Sequence, residues 1–256
     1  MSHVIAIAGK GGVGKTTLSG MLIQRMCQMG KSPILAVDAD ANSNLNEVLG
    51  VDVDMTLGDV REQIERAGVS NENPIPAGMS KADYAEIMFQ RCLNEDDDFD
   101  LLVMGRTQGK GCYCYVNGLL QAQMQKLLPG YKYMVVDNEA GMEHISRGIL
   151  PKVDTLILVS DCSRRGVQAA GRIAELAKDC NLNPKTMGLI VNRAPGGKLN
   201  SGTLEEIEKQ GLTLLGVVPH DDQVYEYDCE GKPTVELPDS SPVRVALDEI
   251  ISRLDL

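Results

Sequence analysis

The sequence predicts an α/β fold with a mostly parallel central sheet and helices on both faces. Short, nearly continuous runs of Val, Ile and Leu alternate with longer segments in which apolar residues recur at helical spacing. Such runs are typical of strands buried on both faces, and regular alternation of strand and helix favours parallel pairing. With 256 residues the chain is long enough for one large domain, and we expect residues 1–256 to form a single domain.

The individual elements follow from the same patterns. Seven runs are predicted as strands: Val4–Ala8, Pro33–Val37, Leu101–Met104, Tyr133–Val136, Thr155–Val159, Met187–Val191 and Leu214–Val218. Helical spacing predicts helices over Thr17–Met29, Val116–Leu128, Gln168–Ala177 and Val243–Leu254. Residues 50–100 break the alternation, because they show two helical patterns, Leu57–Ala67 and Ala82–Cys92, and no convincing strand. We therefore expect a helical insertion over about residues 50–100.

Composition limits the partners. The formal net charge of −11 opposes binding to nucleic acid or anionic lipid, and the absence of Trp with only 2 Phe leaves no aromatic platform for bases. No apolar run is long enough to span a membrane, and the first residues lack the features of a signal peptide. Seven cysteines, an odd number, suit free thiols in a reducing compartment. We expect a cytoplasmic protein with no nucleic-acid or membrane partner.

A phosphate-binding loop lies between the first strand and the first helix. The segment Gly9-Lys10-Gly11-Gly12-Val13-Gly14-Lys15-Thr16 fits G-x-x-x-x-G-K-[ST]. Its glycines let backbone N–H groups surround phosphate oxygens at a helix N-terminus, and Thr17 follows in the same cradle. Lys15 is placed to reach the β- and γ-phosphates, and the Thr16 hydroxyl to ligate Mg²⁺. The segment predicts a P-loop domain that binds a nucleoside triphosphate.

Carboxylates follow two of the predicted strands. Asp38 and Asp40 end the second strand, where residues two apart point the same way. Asp137 ends an apolar strand in the Walker B pattern, and we expect it to hold Mg²⁺ through water. In open α/β sheets this carboxyl edge binds ligands. The alternative for Asp38 and Asp40 is that they cap the next helix.

Lys10 adds a second lysine to the loop. The run K-G-G-V-G-K-T at residues 10–16 resembles the deviant Walker A loop of the dimeric P-loop ATPases. That family includes septum-site and partition ATPases, the nitrogenase iron protein, arsenite-pump ATPases and nickel-insertion accessory proteins. The resemblance implies a homodimer that hydrolyses ATP to ADP slowly with Mg²⁺, in which Lys10 reaches the partner's nucleotide. It also implies that Asp40 orients the attacking water or the Mg²⁺ shell, with Asp38 as a second acidic residue near the loop.

The base is expected to be adenine. Guanine-specific relatives carry N-K-x-D where this chain has Asn192-Arg193-Ala194-Pro195, so the aspartate that reads guanine is missing. Asn192 can still bond a purine, and Arg193 lies beside it. The segment from Gly216 to Asp221, which includes Pro219, resembles the adenine-side loop of the same family. The sequence therefore favours ATP over GTP.

A C-x-C pair, Cys112 and Cys114, precedes the predicted helix Val116–Leu128. In a reducing cell such a pair is a soft-metal site or a redox pair. Two thiolates do not complete a metal's coordination shell, but a two-fold dimer supplies four, which suits Ni²⁺ or Zn²⁺ at the dimer interface. Together with D-A-D at 38–40 and D-N-E-A-G-M-E-H at 137–144, the pair resembles the nickel-insertion ATPases. The resemblance implies carbon monoxide dehydrogenase or acetyl-CoA synthase as client.

Two other functions remain open. One is an iron–sulfur reductase like the nitrogenase iron protein, although no Cys follows Asp137 until Cys162. The other is a positioning ATPase of the cell-division or partition type. Membrane-bound versions end in a basic amphipathic helix, whereas Val243–Leu254 carries two acidic and two basic residues.

Overall fold

One sheet organises the protein. The structure, a computed structural model, describes residues 2–40, 42, 44–66, 74–106, 114–140, 152–254 and 256. Its strands are β1 (His3–Gly9), β2 (Ile34–Ala39), β3 (Leu93–Glu95), β4 (Phe99–Val103), β5 (Tyr133–Asn138), β6 (Thr155–Asp161), β7 (Thr186–Ala194) and β8 (Leu214–Pro219). They form one eight-stranded sheet in the order β3-β4-β2-β5-β1-β6-β7-β8. All pairs are parallel except β3 with β4, as the predicted fold class requires.

Helices cover both faces of this sheet. The described helices are α1 (Lys15–Gln28), α2 (Leu45–Leu49), α3 (Leu57–Arg66), α4 (Lys81–Arg91), α5 (Cys114–Leu127), α6 (Arg164–Asp179), α7 (Ser201–Lys209), α8 (Asp222–Cys229) and α9 (Pro242–Arg253). Side chains alternate between two apolar cores: on β1, Ile5 and Ile7 join the core with α1 and α9, whereas Val4 and Ala6 join the core with α3, α4 and α6. Among the described residues, no helix is both long and apolar enough to cross a membrane.

Most predicted elements are confirmed, and the exceptions are short. All seven predicted strands are present, and α3 and α4 confirm helices between β2 and β4. The expectation of no strand in residues 50–100 is wrong, because Leu93–Glu95 pairs with β4 as an antiparallel edge strand and β4 itself begins at Phe99. Three residues are too few for an alternating pattern to register in the sequence. The helices α2, α7 and α8 were also not predicted.

The sheet register sets the position of the candidate site. The carboxyl ends of the parallel strands share one edge: Gly9 on β1 is paired with Val159 on β6, and Asp38 on β2 with Asp137 on β5. The P-loop leaves β1 at this edge and enters α1. The edge at which a parallel sheet binds ligands therefore carries the predicted phosphate loop and both buried carboxylates.

Candidate functional site

The loop from Gly9 to Lys15 has the conformation that its glycines permit. Gly12 and Gly14 have φ of 77° and 89°, in the left-handed region that favours glycine. A Cβ on Gly9 would overlap the carbonyl oxygen of Val159, so glycine lets β1 end directly against β6. Lys15 is 7% exposed, and its Nζ donates to the carbonyl oxygen of Lys10, 3.4 Å away. The ammonium group therefore lies across the loop that is predicted to surround phosphate.

The end of β7 supports the loop from the other side. Asn192 Nδ2 donates to the carbonyl oxygen of Val13 at 2.8 Å, and Arg193 Nη1 donates to that of Gly12 at 3.2 Å. The pairing of β7 with β8 is irregular between Val191 and Ala194, and Arg193 has a left-handed φ of 56°. A bulge of this kind re-aims side chains at a strand end. Here it directs two successive residues at the P-loop.

Asp137 lies beneath the loop and is fully buried. Ser19 Oγ lies 2.9 Å from Asp137 Oδ1, whereas Oδ2 has no hydrogen-bond partner among the described residues. Burial raises the pKa of Asp137 to about 6; the charge of Asp38 adds to this, and hydrogen bonds from the Thr16 and Ser19 hydroxyls oppose it. A buried carboxylate oxygen without a partner is costly unless a cation or donor joins it.

This arrangement fits Mg²⁺. Magnesium takes oxygen ligands, usually one or two from the protein with water completing the shell. The Thr16 hydroxyl hydrogen-bonds to Asp137, and the free Oδ2 adds an acceptor at the same place. The two residues predicted to hold Mg²⁺, Thr16 and Asp137, are thus brought together. When bound, the ion would supply positive charge to the phosphate oxygens.

Asp38 and Asp40 differ in surroundings. Asp38 is fully buried, and its carboxylate accepts backbone N–H groups of Asp40 at 2.9 Å and Leu45 at 3.0 Å. Burial raises the pKa of Asp38, partly offset by these hydrogen bonds. Asp40 is half-buried, and its Oδ1 accepts the backbone N–H of Asn42 at 2.8 Å. Asp38 therefore holds the turn into α2, as the capping alternative predicts, and Asp40 faces the cavity above the loop.

The part of the chain that the structure describes lines three cavities at this edge of the sheet. The P-loop cavity, about 390 Å³, is lined by Gly11, Gly12, Gly14, Lys15, Thr16, Thr17, Asp40, Asn42, Asn44, Glu139, Ala140 and Arg193. The β8 cavity, about 330 Å³, is lined by Thr17, Leu18, Asn192, Arg193, Pro219, His220, Asp221, Asp222, Val224, Tyr225, Asp228, Thr234 and Val243. The α2 cavity, about 630 Å³, lies between α2 and the residues that follow α8, and Thr16 and Thr17 border it. These volumes lie in the range of about 300–1,000 Å³ typical of small-ligand sites.

The predicted base contacts all line the β8 cavity, but Asn192, Asp221 and, as described above, Arg193 also make hydrogen bonds within the protein. Asn192 is bonded to the P-loop, and its Oδ1 accepts the backbone N–H of Arg193 at 2.9 Å. Asp221 caps α8 by accepting the N–H of Gln223 at 3.0 Å, and it also accepts the Ser241 hydroxyl at 2.7 Å. Arg193 and Pro219 complete the predicted set on this wall. Base contact by these four residues stays a prediction.

Lys10 and the cysteine pair carry the predictions that depend on a dimer. The Lys10 side chain is exposed, and Lys10 lines none of the three cavities. Cys112 and the side chain of Cys114 lie outside the described residues, as does the segment 141–151. Within the described ranges, no three His, Cys, Asp or Glu side chains are grouped as a metal site. The dimeric roles of Lys10, Cys112 and Cys114 therefore stay predictions.

Three residues of the site were not predicted. Ser19 reaches Asp137 from the second turn of α1, and its spacing of four from Lys15 is a usable signal. Asp228 lines the β8 cavity on the same face of α8 as Val224 and Tyr225. Thr234 borders it from a short 3₁₀ turn, Thr234–Glu236. Nothing local in the sequence marks Asp228 or Thr234, because only the tertiary fold brings them to the loop.

The fold and site define a P-loop nucleotide-binding protein: a parallel sheet whose first strand leads through a glycine-rich loop with a buried lysine, and a carboxylate at the end of a neighbouring strand. The comparison with known families gives the narrower class. The model of the CobQ/CobB/MinD/ParA nucleotide binding domain matches residues 4–235, and the chain belongs to this family.

Individual relatives span nearly the whole chain. The uncharacterized ATP-binding protein MJ0685 of Methanocaldococcus jannaschii is 40% identical and covers 98% of each chain. The carbon monoxide dehydrogenase accessory protein CooC of Rhodospirillum rubrum is 30% identical over 91% of this chain and 89% of its own. The Mg-ADP complex of the septum site-determining protein MinD from Pyrococcus horikoshii is similar in fold, with a TM-score of 0.72, 23% identity and coverage of 100% and 96%.

Proposed function

We propose that the protein binds Mg²⁺-ATP and hydrolyses it slowly to ADP and phosphate. The observation that carries this proposal is that buried Lys15 lies close enough to Asp137 for its charge to act on that carboxylate, whose Oδ2 has no hydrogen-bond partner among the described residues. A fixed cation and a carboxylate that can hold a metal stabilise charge on a transferring phosphoryl group.

Each residue of the P-loop cavity has a separate role in the proposed hydrolysis. Water attacks the γ-phosphorus, the bond to the β–γ bridging oxygen breaks, and ADP leaves with the electron pair. Lys15 would neutralise charge on the β- and γ-phosphates, and Thr16 with Asp137 would hold the Mg²⁺. Asp40 lines the P-loop cavity, which supports the predicted role of orienting the attacking water. Gly11, Gly12 and Gly14 present backbone N–H groups to the phosphates.

Lys15→Ala tests this proposal. Removal of the ammonium group should abolish measurable ATP hydrolysis and weaken ATP binding by at least tenfold, since it removes a charged partner of the phosphates. Lys209→Ala is the matched control, because Lys209 is exposed and lines none of the three cavities. Calorimetric titration and phosphate release measure the two effects. Normal binding and turnover in Lys15→Ala would reject the P-loop site.

We further propose that the protein serves as an ATP-dependent accessory protein for nickel insertion into carbon monoxide dehydrogenase or acetyl-CoA synthase. The 30% identical relative is a carbon monoxide dehydrogenase accessory protein, and the present chain carries the C-x-C pair Cys112 and Cys114. A homodimer would gather four thiolates from two such pairs and hold one Ni²⁺ as cargo, or Zn²⁺ in its place. Nucleotide turnover would alter this thiolate set and release the metal to the client.

Metal stoichiometry and mass in solution test the nickel proposal together. The wild type should bind half an equivalent of Ni²⁺ per chain as a dimer, and metal should promote dimerisation because only the dimer has the complete site. Cys112→Ala with Cys114→Ala should lose this metal, while Cys162→Ala with Cys180→Ala, two half-buried cysteines elsewhere, should keep it. Retained metal in the first double variant would overturn the proposal, as would a full equivalent bound by a monomer.

The other two functions give different results in the same experiments. An iron–sulfur reductase would purify brown, with charge-transfer absorbance and iron in place of nickel.

A positioning ATPase is suggested by the MinD of Bacillus subtilis, which is 26% identical over 90% of this chain. Against membrane binding by α9, its apolar residues Val243, Leu247 and Ile250 are buried, and Arg253 donates to the Leu215 carbonyl. The apolar face formed by Val243, Leu247 and Ile250 is therefore packed in the core and is not available to a lipid surface.

A further inference from the structure

The segment 104–106, which follows β4 at the carboxyl edge of the sheet, is held from two sides. The Met104 N–H donates to the carbonyl oxygen of Asp38 at 2.8 Å, which joins the segment to β2. The Met104 carbonyl oxygen accepts the N–H of Gly58 at 2.9 Å, which joins the segment to the first turn of α3. The backbone that leads to Arg106 is therefore fixed by two separate elements.

Two glycines allow α3 to approach this segment closely. A Cβ on Gly58 would overlap the carbonyl oxygen of Arg106, and a Cβ on Gly105 would overlap Oγ1 of Thr56, the residue that precedes α3. Gly105 also has a left-handed φ of 66°, which favours glycine. The start of α3 therefore lies directly against the segment 104–106.

The side chain of Arg106 reaches from this fixed backbone to the wall of the P-loop cavity. Its Nη2 donates to Asn42 Oδ1 at 2.8 Å, across 64 positions of the chain. Asn42 lines the P-loop cavity, and its backbone N–H donates to Asp40 Oδ1 at 2.8 Å. Arg106 itself lines none of the three cavities. The guanidinium group is therefore linked through Asn42 to the carboxylate that is predicted to orient the attacking water.

This link acts on residues that the core holds only in part. Asp40 is half-buried and Asn42 is exposed, so core packing surrounds neither side chain completely. A group that orients a reactant must be held within about 0.5 Å of its productive position. A displacement of about 1 Å can lower a rate about a hundredfold. The hydrogen bond from Arg106 to Asn42 therefore bears on the rate of hydrolysis, although Arg106 lies outside the cavity.

We propose that Arg106 is a positioning residue for ATP hydrolysis, which acts through Asn42 to hold the Asp40 carboxylate in the P-loop cavity. The inference rests on the proposed hydrolysis of ATP, and it adds to that reaction a residue from outside the nucleotide cavity. Arg106 contributes no group to the binding of ATP. Its loss therefore lowers kcat and leaves the affinity for nucleotide almost unchanged.

Steady-state phosphate release and calorimetric titration with ADP test this role. Arg106→Met removes the guanidinium group but keeps a side chain of similar length. We expect its kcat to fall about tenfold, with KM for ATP and affinity for ADP within about threefold of the wild type. Arg106→Lys keeps a donor for Asn42 and should recover most of kcat. Arg91→Met is the matched control, because Arg91 is exposed at the end of α4 and lines none of the three cavities.

A double-mutant cycle tests the route through Asn42. Asn42→Ala should lower kcat by about the same factor as Arg106→Met, and the double variant should lose no more than either single variant, because both changes break one link. Thermal unfolding checks that each variant is folded. Additive losses would overturn the positioning role, as would an unchanged kcat in Arg106→Met or a loss of ADP affinity equal to the loss of kcat. A wild type that hydrolyses no ATP would overturn the proposed hydrolysis and the positioning role together.

Discussion

Asn192 at the end of β7 holds the P-loop in place through Val13, with Nδ2 2.8 Å from the Val13 carbonyl oxygen. The two residues are 179 positions apart in the chain, so the sheet alone brings them together. The same Nδ2 lies where a Cβ on Gly14 would be. The glycine at this position therefore serves two needs, a left-handed backbone and room for the side chain that steadies the loop.

A comparison of Gly14→Ala with Gly12→Ala separates these two needs. Both glycines have left-handed φ, so each substitution adds strain of about 1–2 kcal/mol. Only Gly14 has a neighbour that the new methyl group would strike, whereas Gly12 has open space within 4 Å. We expect Gly14→Ala to reduce the free energy of unfolding more than Gly12→Ala does, by a further 1–3 kcal/mol, about the cost of overpacking. Urea denaturation measures both.

The pair Gly14 and Asn192 should be coupled. In an Asn192→Ala background the alanine at position 14 no longer meets an amide, so its cost should fall to that of Gly12→Ala. A double-mutant cycle gives this coupling energy directly. Additive effects of Gly14→Ala and Asn192→Ala would show that the two residues do not interact, and would contradict the bracing role of Asn192.

Lys10→Ala should separate binding from turnover. The Lys10 side chain is exposed, and only its carbonyl oxygen, which the substitution keeps, contacts Lys15. We expect ADP affinity within about threefold of the wild type and a loss of ATP hydrolysis of at least a hundredfold, the scale of one charge that acts on the transition state. Calorimetry and phosphate release give the two numbers. An equal loss of affinity would place Lys10 in the site of its own subunit and remove the reason for a shared active centre.

The strands and the P-loop were predictable because their signals are local. A run such as Thr155–Val159 is apolar at every position after its first, and the loop motif fixes four of eight consecutive positions. The short elements were not predictable. β3 exists because β4 offers an antiparallel edge, and α2 begins where Asp38 accepts the Leu45 N–H. Both depend on a partner that the local pattern does not contain.

The site residues divide in the same way. Lys15, Thr16 and Asp137 are predicted from motifs, because the residue types and their spacing within each motif indicate phosphate or Mg²⁺ binding. Ser19 and Thr234 have ordinary surroundings in the sequence, and their contacts arise from α1 lying over β5 and from the turn after α8. Asn192 stays a predicted base contact, and the structure adds a bond from its amide to the P-loop that no local pattern in the sequence indicates. The sequence therefore indicates which residues lie near the site, whereas the tertiary structure determines which atoms each side chain contacts.

Ser19→Ala should weaken Mg²⁺ binding selectively. Ser19 Oγ is 2.9 Å from both Asp137 Oδ1 and the Lys15 carbonyl oxygen, and its single proton is shared between them. Loss of the hydroxyl leaves Asp137 Oδ1 with one fewer donor and less well oriented. We expect Mg²⁺ affinity in the presence of ADP to fall three- to tenfold, the scale of one hydrogen bond, with ADP affinity in EDTA unchanged. Ser252→Ala, on exposed α9 surface, is the control. An unchanged Mg²⁺ affinity would contradict the role of Ser19.

Asp137 should make the metal-free protein less stable as pH rises from about 4 to about 6. Burial raises the pKa of its carboxyl from 3.8 in the unfolded chain to about 6 in the folded protein. Between these two pKa values the folded state keeps a proton that the unfolded chain has released. The free energy of unfolding therefore contains the full stabilising contribution of the neutral Asp137 below about pH 4. That contribution is lost once the pH passes the folded pKa of about 6. The change amounts to about 3 kcal/mol across the window.

Asp137→Asn stays neutral and should not show this change. The unfolding free energy of the wild type minus that of Asp137→Asn should therefore fall between pH 4 and 6. Urea denaturation at pH 4, 5, 6 and 7 without Mg²⁺ measures this difference, and exposed Asp179→Asn controls for the loss of one carboxylate. Adding Mg²⁺ and ADP at pH 7 should reverse the order and stabilise the wild type above Asp137→Asn, because the ionised carboxylate is the form that holds the metal. If the difference in unfolding free energy between the wild type and Asp137→Asn stays constant from pH 4 to pH 7, Asp137 ionises near its ordinary pKa. Its carboxylate would then be exposed to water in solution.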